Sequence, residues 1–212
     1  MENKARVLIQ SLIAGLILTG AMFGLFISRY SPPEPPGAVE GVLWPNPKQL
    51  GEFSLVDQNG NDFTLGDLKG QWSFLFFGYT HCPDVCPVTM TVLNSVYKQL
   101  NSDDIQVIFV TVDPDRDTPQ RLREYMGFFN QDFIGLGGSI QQVLGLSSQI
   151  GVFYMYGAES DDGEYLVDHT SSLFLLAPDA SLVSIISPPY AAESIMERFE
   201  AVSTFITSQT KR

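Results

Sequence analysis

The sequence predicts an α/β domain, a central mixed sheet flanked by helices, set behind a single N-terminal transmembrane helix. Three observations carry that prediction. Ser73 to Gly78 and Ile105 to Val112 are continuous apolar and aromatic runs, the pattern of strands buried on both faces of a sheet. Apolar residues between and after them repeat at helical spacing, giving the order strand, helix, strand, helix, which a mixed sheet with helices on both faces satisfies. Ahead of the domain, Val7 to Ile27 is uncharged and largely apolar, interrupted only by Gln10, Ser11 and Thr19.

At about 1.5 Å per helical residue that first run covers the ~30 Å hydrocarbon core of a bilayer. No small-residue cleavage site follows it clearly, so residues 1–30 are expected to be a short cytoplasmic N-terminus and an uncleaved anchor. Lys4 and Arg6 precede the span and Arg29 closely follows it, which holds the N-terminus inside and places the domain on the outer face of an inner membrane. That compartment is the bacterial periplasm or the mitochondrial intermembrane space. Residues 31–48 open with Ser31-Pro32-Pro33-Glu34-Pro35-Pro36-Gly37, whose prolines favour an extended polyproline stalk. Residues 49–208 then have the length of one domain with a sizeable core, and 209–212 are a tail. A net charge of -12 excludes nucleic acid as a partner, because phosphate must be met by clustered Lys and Arg.

Within the domain, Phe53 to Val56 and Phe63 to Leu65 flank Asp57-Gln58-Asn59-Gly60-Asn61, where the Asn-Gly pair suits the positive φ angles of a hairpin turn. An N-terminal β-hairpin is expected there. The helix after the first core strand carries Leu93, Val96, Tyr97 and Leu100, with Pro87 at its first position, where a missing N–H costs nothing. Asp117-Thr118-Pro119 starts the next helix, through Leu122, Tyr125, Met126 and Phe129. A third helix is expected over Ile140 to Ile150. Strands follow near Val152 to Tyr156, Ser171 to Leu176 and Leu182 to Ile186, and a last helix from about Ala191 to Thr207.

The two cysteines of the chain both lie in Cys82-Pro83-Asp84-Val85-Cys86-Pro87, between the first core strand and its helix. So short a spacing staples almost nothing as a structural disulfide, since stabilisation grows with the loop closed. It does bring two sulfurs together to share a metal ion or to alternate between dithiol and disulfide. A two-cysteine box opening the helix of a βαβ unit is the thioredoxin-like arrangement, in which the helix N-terminus favours a thiolate. Thioredoxins place two residues between their cysteines, whereas Pro83, Asp84 and Val85 make three here and widen the chelate. A soft dithiolate suits Cu(I), with Zn(II) as competitor. His81 and His169 are the two histidines. His81 is constrained by its neighbour Cys82 and reads as a loop residue, while His169 is a third-ligand candidate whose spacing alone leaves a surface or core role open. Asp84 either tunes the thiols through its charge or caps backbone N–H groups. Asp113, Asp115, Arg116 and Asp117 read as a turn and helix cap in preference to a hard-cation site.

Phe77-Gly78-Tyr79-Thr80-His81-Cys82-Pro83-Asp84-Val85-Cys86-Pro87 resembles the signature of the Sco/SenC family. Val112-Asp113-Pro114-Asp115-Arg116-Asp117-Thr118-Pro119 is similar to that family's second block, and Asp168-His169-Thr170 with Phe174-Leu175 resembles its histidine block. The segment Leu175-Leu176-Ala177-Pro178-Asp179-Ala180 departs mildly from the family, where an acidic residue and a glycine often form the turn. The resemblance implies a thioredoxin-like fold and a membrane-anchored metallochaperone that delivers copper to the Cu(A) centre of cytochrome c oxidase. By the same resemblance Cys82, Cys86 and His169 are the metal ligands, His169 being supplied from a mobile loop; the polar, turn-like stretch Gly157 to Gly163, with Glu159, Asp161 and Asp162, suits a hinge before it. Copper is the implied cofactor, as Cu(I) or Cu(II). The implied partners are the Cu(A)-bearing oxidase subunit and a thiol reductant or another copper chaperone, with the membrane contacted through the N-terminal helix.

A reading from a different class is a thiol-disulfide oxidoreductase that keeps the oxidase subunit's cysteines reduced. Cys82 and Cys86 would then be the catalytic pair, and exchange would have no need of His169. A peroxidase would rest on one cysteine and leaves the CxxxC and the distant histidine unexplained. A copper or redox stress sensor is a further reading.

Overall fold

The computed structural model describes residues 2–30, 42–43 and 46–210. The chain divides into two compact units, Met1–Glu34 and Pro35–Arg212. The first holds one helix, α1 (Glu2–Tyr30), whose described side chains are exposed. Among the described residues no helix is long and apolar enough to cross a membrane. The expected span from Val7 to Ile27 falls within α1. The expected stalk lies almost wholly outside the described residues.

In the second unit the chain runs β1 (Lys48–Gln49), β2 (Ser54–Asp57), β3 (Asp62–Thr64), a 3-10 turn at Leu65–Leu68, β4 (Trp72–Gly78), α2 (Val85–Leu100), β5 (Ile105–Thr111), α3 (Pro119–Phe129), β6 (Ile134–Gly137) and α4 (Ile140–Ile150). It ends with β7 (Tyr154–Tyr156), β8 (Val167–His169), β9 (Leu173–Leu176), β10 (Ser181–Ile186) and α5 (Ala192–Thr210). An eight-stranded sheet has the order β1-β10-β9-β4-β5-β6-β2-β3, and β7 and β8 form a separate two-stranded ribbon. β4, β5 and β6 are mutually parallel, the other pairings antiparallel, so the sheet is mixed as expected. This is the α/β, thioredoxin-like arrangement.

Every residue of β4 and β5 is buried, which explains why both read as unbroken apolar runs. Phe74, Phe76, Phe77, Phe109 and Phe174 fill the core and have 2% exposure or less. Parallel neighbours need a crossover, and α2 supplies it, burying Met90, Leu93 and Val96. The expected hairpin is β2 with β3, tied by Asp57, whose carboxylate accepts the Asn59 and Asn61 backbone N–H groups. It is not an isolated appendage, because Val56 and Asp57 pair with Gly137 and Leu136 and so close one edge of the sheet.

Three short strands escaped the sequence reading. β6 is Ile-Gly-Leu-Gly, too short and glycine-rich to signal itself. Its glycines answer a packing demand, since a Cβ at Gly135 would lie 3.0 Å from Met126 Cγ and 3.2 Å from Leu122 Cβ on α3. β1 and β8 exist only through pairing with β10 and β7. α4 matches its expected limits because both ends are written locally: a Ser139–Gln142 capping box, and Gly151 in left-handed conformation at φ 89°. α5 continues to Thr210, past the expected end at Thr207.

Candidate metal centre

β4 ends at Gly78 and α2 begins at Val85; the six-residue turn between them carries Cys82, and the start of the helix carries Cys86. Cys82 N–H donates to the Tyr79 carbonyl at 3.2 Å, which folds the turn back on itself. α2 starts at Val85, so Pro87 is its third residue and not its first. The correction is physical: the N–H groups of the whole first turn lack intrahelical partners, so proline is tolerated at the third position too. Cys86 therefore stands in the first helical turn and is buried, while Cys82 stays in the preceding loop and is half-buried. The Cys86 N–H points at Cys82 Sγ, 3.5 Å away, as a helix N-terminus does toward a negative charge.

Gly78 makes this approach feasible. A Cβ there would lie 2.8 Å from Cys86 Sγ and 2.9 Å from Phe109 Cε2, closer than atoms pack. The sequence hinted at this only by a lone glycine closing an aromatic strand.

His169 comes to the same point from the other side of the chain. It lies at the end of β8, paired with Tyr154 across the ribbon, and not in a free loop. The residues 157–163, expected as a hinge, are instead the hydrogen-bonded end of this hairpin, with Gly157 N–H donating to Leu166 O and Ser160 N–H to Glu164 O. The imidazole packs edge-on against Phe76 and Tyr79, at ring-centre distances of 6.1 and 6.0 Å. Nδ1 lies 3.1 Å from the Thr170 carbonyl, which can only accept, so Nδ1 carries a proton, and in the neutral ring Nε2 then offers a lone pair. Nε2 is 3.5 Å from Cys86 Sγ. Asp168 is exposed and its alternate position on β8 sends its side chain to the opposite face, so it does not orient the ring.

The ligand atoms of Cys82, Cys86 and His169 all lie within 4.8 Å of one another. A trigonal ion with bonds of about 2.3 Å to sulfur spaces its ligands about 4 Å apart, so two sulfurs and one nitrogen in this array fit a soft, low-coordinate ion. The two thiols are unequal. The Cys86 thiol directed at Cys82, with the His169 side chain and the backbone N–H groups of Asp84 and Cys86, overcomes burial and lowers the Cys82 pKa to about 4. The neighbouring Cys82 sulfur, reinforced by burial, pushes the Cys86 thiol upward. One proton leaves readily and the second stays until a cation replaces it.

The acidic segment after β5 plays a part that neither sequence reading described. Thr118 caps α3, its hydroxyl accepting from Arg121 N–H, so Asp117 is free of that task. Asp117 is buried and accepts from Thr80 N–H at 2.9 Å, Thr80 Oγ1 at 2.6 Å and Thr111 Oγ1 at 2.6 Å. It pins the His81–Cys82 turn to β5. Asp113 accepts from Arg116 Nε at 2.6 Å and from the Tyr165 hydroxyl at 2.8 Å. His81, Asp113 and Asp117 are close enough to hold an ion, yet both carboxylates are already met by protein donors, which favours a structural role. His81 Nδ1 is 3.6 Å from Asp117 and is not grouped with the sulfurs. Asp84 makes no side-chain cap at the α2 N-terminus, and its backbone N–H is among the groups that lower the Cys82 pKa.

The chain is similar to known proteins in sequence and in fold. A family model described as SCO1/SenC matches residues 45–204. An SCO2-like protein of Rickettsia felis is 35% identical over 199 residues, covering 92% of this chain and 96% of that protein. A putative copper-binding protein of Stutzerimonas stutzeri is 37% identical over 157 residues, 73% of this chain and 76% of its own. Among solved structures, Arabidopsis thaliana ScoI with copper bound superposes with a TM-score of 0.68 at 32% identity, covering 73% of this chain and 98% of that one.

Proposed function

The chain belongs to the SCO1/SenC family, and from that premise we propose that it is a membrane-anchored copper metallochaperone that carries one copper ion on Cys82, Cys86 and His169. The ion is cargo. It is delivered to the Cu(A) centre of cytochrome c oxidase, on the outer side of an inner membrane to which the Val7 to Ile27 segment anchors the chain. The observation that carries the reading is the 3.5 Å approach of His169 Nε2 to Cys86 Sγ across 83 positions of sequence. It brings the imidazole nitrogen that Thr170 does not engage to the dithiol. The copper-bound Arabidopsis relative supports the choice of ion, as does the donor set of two thiols and an imidazole, which suits Cu(I).

Loading releases the Cys86 proton and leaves two thiolates and a neutral imidazole, with net charge near -1 on a monovalent ion. The Nδ1–H bond to Thr170 keeps the ring oriented while Nε2 ligates. A disulfide between Cys82 and Cys86 cannot bind the ion, so loading requires a reductant in an oxidising compartment.

The inequality of the two thiols favours a second reading, reduction of a partner's disulfide. Cys82 thiolate would attack one partner sulfur, the other leaving as a thiol after taking a proton. Cys86 would then displace the first partner sulfur, leaving the partner reduced by two electrons and a Cys82–Cys86 disulfide behind. The two readings part at His169. Copper stoichiometry on the reduced, anaerobic protein is expected to be one per chain, weakened by His169→Ala and abolished by Cys86→Ser. Absence of tight copper together with fast dithiol exchange in His169→Ala would establish the reductase instead.

A further inference from the structure

His169 stands on a ribbon that shares no backbone ladder with the main sheet, so side chains decide where that ribbon docks. The contacts land on the ends of β4 and β5, and Arg116 is at their centre. Its Nε donates to Asp113 Oδ2 at 2.6 Å and Nη2 to the Tyr165 carbonyl at 2.9 Å, while Nη1 reaches Glu164 Oε2 at 3.4 Å. Its guanidinium carbon lies 3.5 Å from the centre of the Tyr165 ring and 5.8 Å from that of Tyr79, the ring that packs edge-on against His169. Asp113 is wholly buried and its other oxygen accepts the Tyr165 hydroxyl. A second tether runs from the Tyr156 hydroxyl to the Val112 carbonyl at 2.8 Å.

We propose that Arg116 is a positioning residue for His169: clamped between Asp113 and Tyr165, it seats the β7–β8 ribbon over the dithiol and thereby sets how fast the bound copper is released. The inference rests on the ligand set proposed above. A guanidinium suits the task because its planar fork reaches a carboxylate and a carbonyl at once and stacks on an aromatic face. A lysine keeps the charge beside Asp113 but can serve one of those partners at a time. The clamp makes no direct contact with the cysteines, but Tyr79, beside Arg116, also accepts the Cys82 N–H, so the His169→Ala background is what separates an effect carried by His169 from one carried by the cysteine turn.

The test uses the full chain in detergent, reduced, loaded with one Cu(I) and challenged with excess bathocuproine disulfonate, which competes for Cu(I) and reports it by colour. Release is followed for the parent, Arg116→Lys, Tyr156→Phe, His169→Ala, and each of the first two combined with His169→Ala. Loss of one charge-assisted bond is expected to speed release about tenfold in Arg116→Lys, and loss of a neutral bond about threefold in Tyr156→Phe. Both effects are expected to vanish when His169 is absent. In the copper-free protein, Arg116→Lys is expected to quicken amide exchange in β7 and β8 but not in β4 and β5. Equal acceleration in the His169→Ala background, parent-like release from both single variants, or parent-like exchange in the ribbon would each overturn the clamp. If His169→Ala itself releases copper no faster than the parent, the ligand set is wrong and the inference falls with it. If His169→Ala is fast while the clamp variants behave as parent, only the clamp falls.

Discussion

At the scale of single residues the site depends as much on an absent side chain as on the three donors. Gly78 lets Cys86 Sγ sit against the β4 backbone, where a methyl group would be 2.8 Å from the sulfur and 2.9 Å from Phe109. Both neighbours are buried and neither is the free end of a flexible chain. Gly78→Ala is therefore expected to cost about 1–3 kcal/mol of stability through overpacking. It is also expected to weaken Cu(I) binding by moving Cys86 away from His169. Urea denaturation and a Cu(I) competition titration read the two effects, and unchanged values in both would refute the packing argument. His169 shows the complementary case, in which the far nitrogen matters: the Thr170 carbonyl engages Nδ1–H and so leaves Nε2 for the ligand role proposed above.

At the scale of elements, the first turn of α2 sets the chemistry of the dithiol. Its N–H groups lack intrahelical partners and point toward Cys82, and the Cys86 thiol lies there too, so the Cys82 thiolate persists to low pH. The sign follows from the lowered pKa: Cys82 remains ionised as pH falls from its ordinary value of 9.0, and gains a proton only near 4. Alkylation of the reduced, metal-free protein by iodoacetamide is expected to stay fast down to about pH 5 at Cys82. Cys86, raised and buried, is expected to react slowly throughout. Peptide mapping across pH 4–9 checks this, and a Cys82 rate that fades below pH 8 would contradict it. The ribbon makes a second point at this scale. β7 falls within the strand expected near Val152 to Tyr156, whereas the three residues of β8 are too short to announce themselves; Tyr156, Tyr165 and Arg116 fasten the ribbon to the body.

At the scale of the whole molecule, residues 35–212 form a compact unit of their own. Removal of residues 1–34 is accordingly expected to leave the melting midpoint and copper stoichiometry unchanged. Vesicle flotation is expected to retain the full chain and release the shortened one. A shortened chain that unfolds, or that still floats, would contradict the division into anchor and domain. Much of that domain was legible in the sequence where the signal is local. β4 and β5 carry unbroken apolar runs because both their faces are covered, α3 and α4 carry their caps within a few residues, and the β2–β3 turn is written in Asp57 to Asn61. The CxxxC box was equally plain, and its resemblance to a known family supplied His169, which spacing alone did not. Beyond the reach of local signals were β6 and β8, the entry of Cys86 into the helix, the duty of Asp117 as anchor for the turn, and the clamp at Arg116. By itself the sequence determined the fold class and the position of the dithiol at a helix start, since periodicity and spacing are properties of neighbours along the chain. Only the tertiary structure decided which nitrogen meets which sulfur, because the approach of His169 to Cys86 is made by sheet order and ribbon docking, between residues that the chain keeps far apart.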